Sequence, residues 1–210
     1  GAQTKPLWNT EQGWLEIPSP TLFPQTKGAA YVARAHLLNW AYGLGRFYYY
    51  TWDNQWNQIQ FVQADNVTLT PAGTAYREIA QWMTERVMES LTTDVNGTYV
   101  ATLRDAGGKK YRVLWNPLQQ IQFALPPSWS VSSQRTLAGV TTSLAGKTTV
   151  AIGESPLLLE HAQSVTNEII VDNLAVGAGD TSRSFTGTWC LSSATNQYGA
   201  ISLYSCGAGA

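Results

Sequence analysis

The spacing of apolar residues changes near residue 92, and that change restricts the fold more than any other feature of the chain. Before it, strand and helix signals alternate. KPLWNT reads as a short strand and RFYYYTW as a second, bulkier one. Between them, EIPSPTLFPQTKG carries too much Pro for a helix or a strand ladder. AAYVARAHLLNWAYG then sets Tyr31, Ala35, Leu38 and Tyr42 at helical spacing, closed by Gly43. A second helix is predicted over TPAGTAYREIAQWMTERVMESL, N-capped by Thr70 with Pro71 in its first turn. Its expected buried stripe is Tyr76, Ile79, Met83 and Val87. Strand, helix, strand, helix predicts parallel α/β structure over residues 1–91.

Beyond residue 92 the chain reads TYVATLRD, KKYRVLWN, QIQFAL, QRTLAG, KTTVAIG and SPLLLE, short strands with turns about every 8–12 residues. That is the pattern of a small β-sandwich over residues 92–160, with DAGGKK as a hairpin turn. Residues 161–180 read as a linker ending in the Gly-rich VGAGD, which has neither a dinucleotide-binding nor a phosphate-loop spacing. Residues 181–210 begin a further β module that the end of the chain truncates. The expected fold class is therefore α/β plus all-β.

Composition narrows the partners. Charged residues make up 13% of the 210, about half the usual share, and aromatics 11%, with nine Trp and ten Tyr. The net charge is -1 and the basic residues are scattered, which argues against a nucleic-acid surface. No run approaches the roughly 20 apolar residues of a membrane helix. Few charges with many aromatic, amide and hydroxyl side chains suit an extracellular or periplasmic sugar-handling protein: amides bond sugar hydroxyls, and rings cover the flat C–H faces. GAQTKPLW lacks the order of a signal peptide, and LYSCGAGA stops inside a strand-rich segment, so the chain is expected to be an internal piece of a longer protein. Cys190 and Cys206 are the only cysteines; they form either one disulfide or two free thiols, and no zinc spacing accompanies them. No cofactor or metal site is expected, and the oligomeric state is open.

The chemistry centres on PLWNTEQGW. In parallel α/β barrels reactive groups sit at the carboxyl ends of strands, where Glu11 stands. Strand alternation puts Leu7, Asn9 and Glu11 on one face, and Tyr48, Tyr50 and Trp52 share a face of the second strand. If the strands are neighbours, Glu11 and Trp52 project from adjacent tips into one cleft. A carboxylate beside an aromatic face suits glycoside cleavage, whose retaining form needs two carboxyls about 5–5.5 Å apart.

PLWNTEQGW followed by AAYVARAHLLNWAYGLGRFYYYTWDN resembles the last two βα units of a clan A (β/α)₈ glycoside hydrolase, nearest to the bacterial family 39 endoglycosidases. The resemblance implies a nucleophile at Glu11 and a sugar platform at Trp52. Asn9, Trp14, Tyr50 and Asp53 are further candidate substrate-binding residues. Residues 92–160 resemble the β-sandwich that accompanies such barrels. TGTWCLSSATNQYG resembles the start of a golvesin-like or carbohydrate-binding module. The acid/base Glu of the clan follows an Asn on an earlier strand, and the one Asn-Glu here, Asn167-Glu168, lies in the linker or tail. The isolated chain is thus expected to be inactive.

Several residues have plainer readings. Glu11 alone could be a solvated strand-end residue, Trp52 a packing residue and Tyr50 barrel filling; Glu16 reads as a loop carboxylate. His36 and His161 read as structural or exposed, and Arg34 as solvated or salt-bridged. Asn66 and Asn96 fit glycosylation sequons, but Asn96-Gly97 is equally a turn. The alternative function is a non-catalytic carbohydrate-binding or surface-attachment protein on a retained barrel scaffold.

Overall fold

The computed structural model describes residues 5–14, 23–52, 58–161, 189–195 and 201–205. The chain divides into two compact units, Gly1–Ser164 and Val165–Ala210.

The first unit opens with strand β1 (Trp8–Gln12), helix α1 (Gln25–Ala41) and strand β2 (Arg46–Tyr49), with β1 and β2 paired in parallel. Parallel neighbours need a crossover, and α1 is that crossover. Gly43 ends α1 with φ +75°, a backbone state that favours glycine. Helix α2 (Pro71–Met83) follows; the Thr70 hydroxyl accepts the Gly73 N–H, so the predicted cap and Pro71 start hold. Gly73 is required by space, since a Cβ there would meet the Phe61 carbonyl oxygen at 2.0 Å.

Two helical expectations change. α2 stops at Met83 instead of running to residue 91, and residues 86–93 form strand β3 (Arg86–Thr93). Glu85 sits at φ +59°, and the Arg86 guanidinium donates to the Gln81 and Trp82 carbonyls, satisfying groups that a continuing helix would use. Val87 is therefore a strand residue, 51% exposed, and no part of a helical stripe. On α1, Ala35 is buried, but Tyr31 and Leu38 are half-buried and Tyr42 is exposed. Ala29, Val32, Ala33 and Leu37 are buried instead, because α1 packs on α2, on a sheet and on residues 59–61. A helix covered on several sides needs small residues all round, and a single apolar stripe does not describe it.

Strands β4 (Tyr99–Asp105), β5 (Lys110–Trp115), β7 (Val131–Arg135), β8 (Thr141–Ser143) and β10 (Leu157–His161) join β3 in an antiparallel sheet ordered β3-β4-β5-β10-β7-β8. The predicted β4–β5 hairpin forms: Asp105 Oδ1 accepts the Lys109 N–H across the turn. Strands β6 (Ile121–Ala124) and β9 (Thr149–Ile152) make a separate antiparallel pair. Leu103, Tyr111, Val113, Trp115 and Leu158 pack with Ala33, Leu37, Ile79 and Trp82 of the helices. Leu114, Leu157 and Leu159 pack on the other side with Ile121, Phe123, Val150 and Ile152. The six-stranded sheet is thus covered on both faces, which explains the unbroken apolar run Leu157–Leu159 in β10. Each fully buried Leu or Val contributes about 1.5–3 kcal/mol.

In the second unit β11 (Trp189–Thr195) pairs antiparallel with β12 (Ile201–Ser205), with Cys190 opposite Tyr204. Cys206, Glu16, Asp53, Asn167 and Glu168, and almost all of the expected linker, lie outside the described residues.

One ion pair ties the helices to the sheet. Glu78 of α2 is 3% exposed and accepts two bonds from Arg135 of β7, at 2.7 Å (Nε) and 3.1 Å (Nη2). Removing one partner of a fully buried pair costs about 3–5 kcal/mol. Arg135 keeps some contact with water, so Glu78→Gln is expected to cost about 2–3 kcal/mol, read as a lower urea midpoint with unchanged m-value.

Acid should also weaken the fold. His36 is held below its ordinary pKa by burial, against which its bond to the Val32 carbonyl acts. His161 is lowered to about 4 by burial and by the charges of Arg112, Lys110 and Lys109. An unfolded His titrates near about 6.5. The unfolded chain therefore takes up protons that the folded chain refuses, and stability is full above that pH and falls as pH drops toward 4. Urea midpoints measured from pH 7 to 4 should decline, and His161→Leu should flatten the decline.

Candidate active site

The two strands that carry the candidate residues are neighbours, with Trp8 opposite Arg46, Asn9 opposite Phe47 and Gln12 opposite Tyr49. The Tyr50 N–H donates to the Gln12 carbonyl at 2.8 Å, so the carboxyl ends of β1 and β2 lie side by side. Glu11 stands at one end and Tyr50 to Trp52 continue from the other, as expected.

The face assignment within β1 is different. From Asn9 to Gln12 the strand takes three steps while β2 takes two, so β1 bulges at Thr10 and Glu11. Asn9 and Gln12 then share one side and are half-buried, whereas Thr10 and Glu11 are both exposed. Asn9 and Glu11 therefore do not share a face, because the extra residue breaks the two-residue alternation.

The bulge is held from behind by α1. Asn9 Nδ2 donates to Gln12 Oε1 at 2.9 Å and to Asn39 Oδ1 at 3.3 Å, and Asn39 Nδ2 reaches Gln12 Oε1 at 3.4 Å. Asn39 is itself fixed by a 2.8 Å bond to the Ala35 carbonyl, one turn back. Asn9 thus sits in an amide cluster behind the strand. The Glu11 carboxylate has no hydrogen bond or ion pair among the described residues and stays open to solvent.

Aromatic rings pack around the end of the second strand. Trp52 is 48% exposed and meets Phe61 and Tyr76 edge-on, with centroids at 5.7 and 6.3 Å. Its carbonyl accepts the N–H groups of Phe61 and Val62, which anchors the backbone behind the ring. Tyr49, Phe61 and Tyr76 stack in sequence at 4.4 and 4.6 Å beneath it. Burial pushes the Tyr49 phenol above its ordinary pKa, and its hydroxyl donates to the Ile59 carbonyl at 2.9 Å. Tyr50 is 44% exposed. Trp14 is half-buried between Tyr31 and Tyr49, at 5.8 and 5.9 Å, and lines a concavity with Gln12, Arg34 and Asn39.

His36 lies edge-on to Phe47 and Tyr76, a packing role that agrees with its structural reading. Arg34 is not freely solvated and has no salt bridge among the described residues: it is half-buried with its guanidinium over the Tyr31 ring at 4.8 Å. Burial lowers its pKa, and the field of Glu154 opposes that shift. No group of three His, Cys, Asp or Glu among the described residues could hold a metal. Sequence reading missed Gln12, Asn39, Tyr49 and Phe61. The only available signal was polarity inside otherwise apolar elements, at Gln12 and Asn39.

No family model matches the sequence, and no curated protein is similar to it. Solved structures do share its fold. One is a glycoside hydrolase family 30 subfamily 8 xylanase from Clostridium acetobutylicum, at TM-score 0.52 and 14% identity over 75% of this chain and 43% of that one. Another is the catalytic domain of the family 30 xylanase C from Talaromyces cellulolyticus, at TM-score 0.53 and 14% identity over 76% and 41%. The chain spans less than half the length of either protein. At this identity the likeness is one of fold: the chain has a mixed α/β structure like part of a glycoside hydrolase.

Asn39 is the residue that couples α1 to the bulge. Asn39→Ala should destabilise this corner by about 1–2 kcal/mol, since it leaves Asn9 and Gln12 short of a partner. Hydrogen exchange at the Tyr50 amide, which bonds to Gln12, should accelerate more than exchange in β4 or β5.

Proposed function

We propose that this chain is the carboxyl-terminal portion of a secreted retaining glycoside hydrolase acting on a polysaccharide or oligosaccharide, with Glu11 as the nucleophile. The observation that carries the reading is the parallel β1–α1–β2 unit, whose adjacent carboxyl ends bear an open glutamate and a half-exposed tryptophan. On this reading β1, α1, β2 and α2 are the last two βα units of a (β/α)₈ barrel. The sheet strands after them form an accompanying β-sandwich, with a further β module beyond residue 180. The family 30 xylanases support the clan-level reading and a polysaccharide substrate, and both clan and substrate belong here to the proposal.

In this mechanism the Glu11 carboxylate attacks the anomeric carbon while the glycosidic C–O bond breaks. An acid on an earlier strand protonates the leaving oxygen, and water, deprotonated by the same group, then releases the sugar from Glu11. Trp52 stacks on the sugar held at the strand ends, with Tyr50 and Asp53 beside it. Asn9 acts from behind the strand through Gln12, and Trp14 acts as a wall.

A second reading is favoured by one observation. The Glu11 carboxylate lacks any partner among the described residues, and a retaining site needs two carboxyls. A carbohydrate-binding or surface-attachment protein could use Trp52 and the neighbouring rings without turnover.

The test is kinetic. In the longer polypeptide that supplies the remaining strands, Glu11→Gln should lower kcat on xylan or a xylo-oligosaccharide by more than about 10⁴-fold. Trp52→Ala should raise KM by roughly three- to tenfold. Near-normal turnover in the Glu11 variant would overturn the assignment, and no turnover in the parent itself would favour the binding reading.

A further inference from the structure

Three concavities in the first unit adjoin one another and are separate from the Glu11 strand end. The first, of about 500 Å³, is lined by Gln25, Gln58, Gln63 and Thr70 and ends at Pro71. The second, of about 520 Å³, begins at Pro71 and is mostly apolar, with Leu69, Ala29 and Ala138. It shares Thr26, Thr136, Leu137 and Ser155 with the third, of about 670 Å³, where Gln120, Gln122 and Glu154 stand. The three therefore follow one another, meeting at Pro71 and at Thr26 and Leu137, as a trough with amides at both ends and an apolar middle.

The first part of the trough lies near the carboxyl end of β2. The Trp52 carbonyl holds Phe61, whose own carbonyl accepts the Thr70 N–H at the start of α2. The start of α1 is tied to the same region, because the Phe23 N–H donates to Gln58 Oε1 at 2.9 Å. The first part of the trough is thus tied by hydrogen bonds to the Trp52 end of β2.

Its chemistry selects the ligand. Among the described lining residues Glu154 is the sole charged group, and no Lys or Arg lines any of the three parts. A polyanion, whether nucleic acid or an acidic polysaccharide, has nothing to pair with and would meet Glu154. No tryptophan or tyrosine is among the described lining residues, which therefore offer none of the large anchors on which protein interfaces depend. The side chains of Gln63, Gln120 and Gln122 make no hydrogen bond among the described residues and are open to solvent. Amides and hydroxyls over a small apolar floor match the hydroxyls and C–H faces of a neutral sugar chain. Each part of the trough has the volume of an ordinary ligand pocket.

We infer that this trough is an accessory binding site for a neutral polysaccharide, which holds a chain beside the catalytic cleft without contributing to bond cleavage. It rests on the sugar-handling reading of the protein but on none of the residues assigned to the cleft. With hydrogen bonds at the two amide ends and only a small apolar floor between them, binding is weak, so an extended chain spanning both ends binds better than a short one.

Amide NMR titrations of the 210-residue chain with xylohexaose, cellohexaose and a galacturonic-acid hexamer test this. The neutral hexamers should shift the amides of Gln63, Thr136 and Ser155, and the acidic hexamer should bind at least fivefold more weakly. Gln120 and Gln122 are exposed, so Gln120→Ala/Gln122→Ala leaves the fold intact and should weaken neutral binding at least fivefold. Trp52→Ala should leave these shifts unchanged. The inference is overturned if the neutral hexamers leave the trough amides unmoved, if the double glutamine variant binds equally well, or if the acidic hexamer binds as tightly. The two readings fail separately. Shifts confined to Trp52 and its neighbours would remove the trough and leave the cleft standing, whereas loss of the Glu11 assignment by kinetics would leave trough binding untouched.

Discussion

Everything in the larger unit depends on one sheet being buried on both sides. Leu103, Val113, Trp115 and Leu158 look toward α1 and α2, while Leu114, Leu157 and Leu159 look toward β6 and β9. Because alternate residues of β5 and β10 serve two cores, neither core can shift without disturbing the other. The Glu78–Arg135 pair adds direction to this non-directional burial, since its two bonds accept one placement of α2 along β7. The flat contact of Tyr99 on Trp115, centroids 4.8 Å apart on opposite strands, does the same for the register of β4 and β5.

The candidate site inherits that rigidity through α1. One side of α1 is packed into the sheet core, and Asn39 reaches from it to Asn9 and Gln12 in the bulged strand. The bulge directs Thr10 and Glu11 away from the helix, so the Glu11 carboxylate faces open space and the amides behind it satisfy one another. Beside the second strand the stack of Tyr49, Phe61 and Tyr76 serves the same end, leaving half of Trp52 exposed while the Phe61 and Val62 N–H groups fix its backbone. A carboxylate and a ring are thereby offered from two adjacent strand ends, each supported by packing that it does not share with the other.

Much of this was legible in the residues. The periodicity identified α1, the start of α2 and the short strands, because amphipathic spacing and caps are local properties. Thr70 and Pro71 mark the helix start in sequence and in structure alike. The end of α2 was not legible: apolar spacing continues through Val87, and the stop is made by the left-handed Glu85 and by Arg86 bonding back to the helix carbonyls. Nor was the side to which Asn9 points. Alternation put it with Glu11, and a single extra residue in β1, visible only through pairing with β2, moved it to the helix side.

The sequence by itself determined where α1 lies and where α2 starts, the presence of a glutamate after one short strand and of an aromatic run in the next, and the low charge. These follow from residue type and spacing, which a chain carries before it folds. The tertiary structure alone decided which faces are buried, where the bulge turns Glu11 outward, and that distant glutamines at residues 63, 120 and 122 border one trough. Those outcomes depend on contacts between segments far apart in the chain, and no local pattern of residues encodes such a contact.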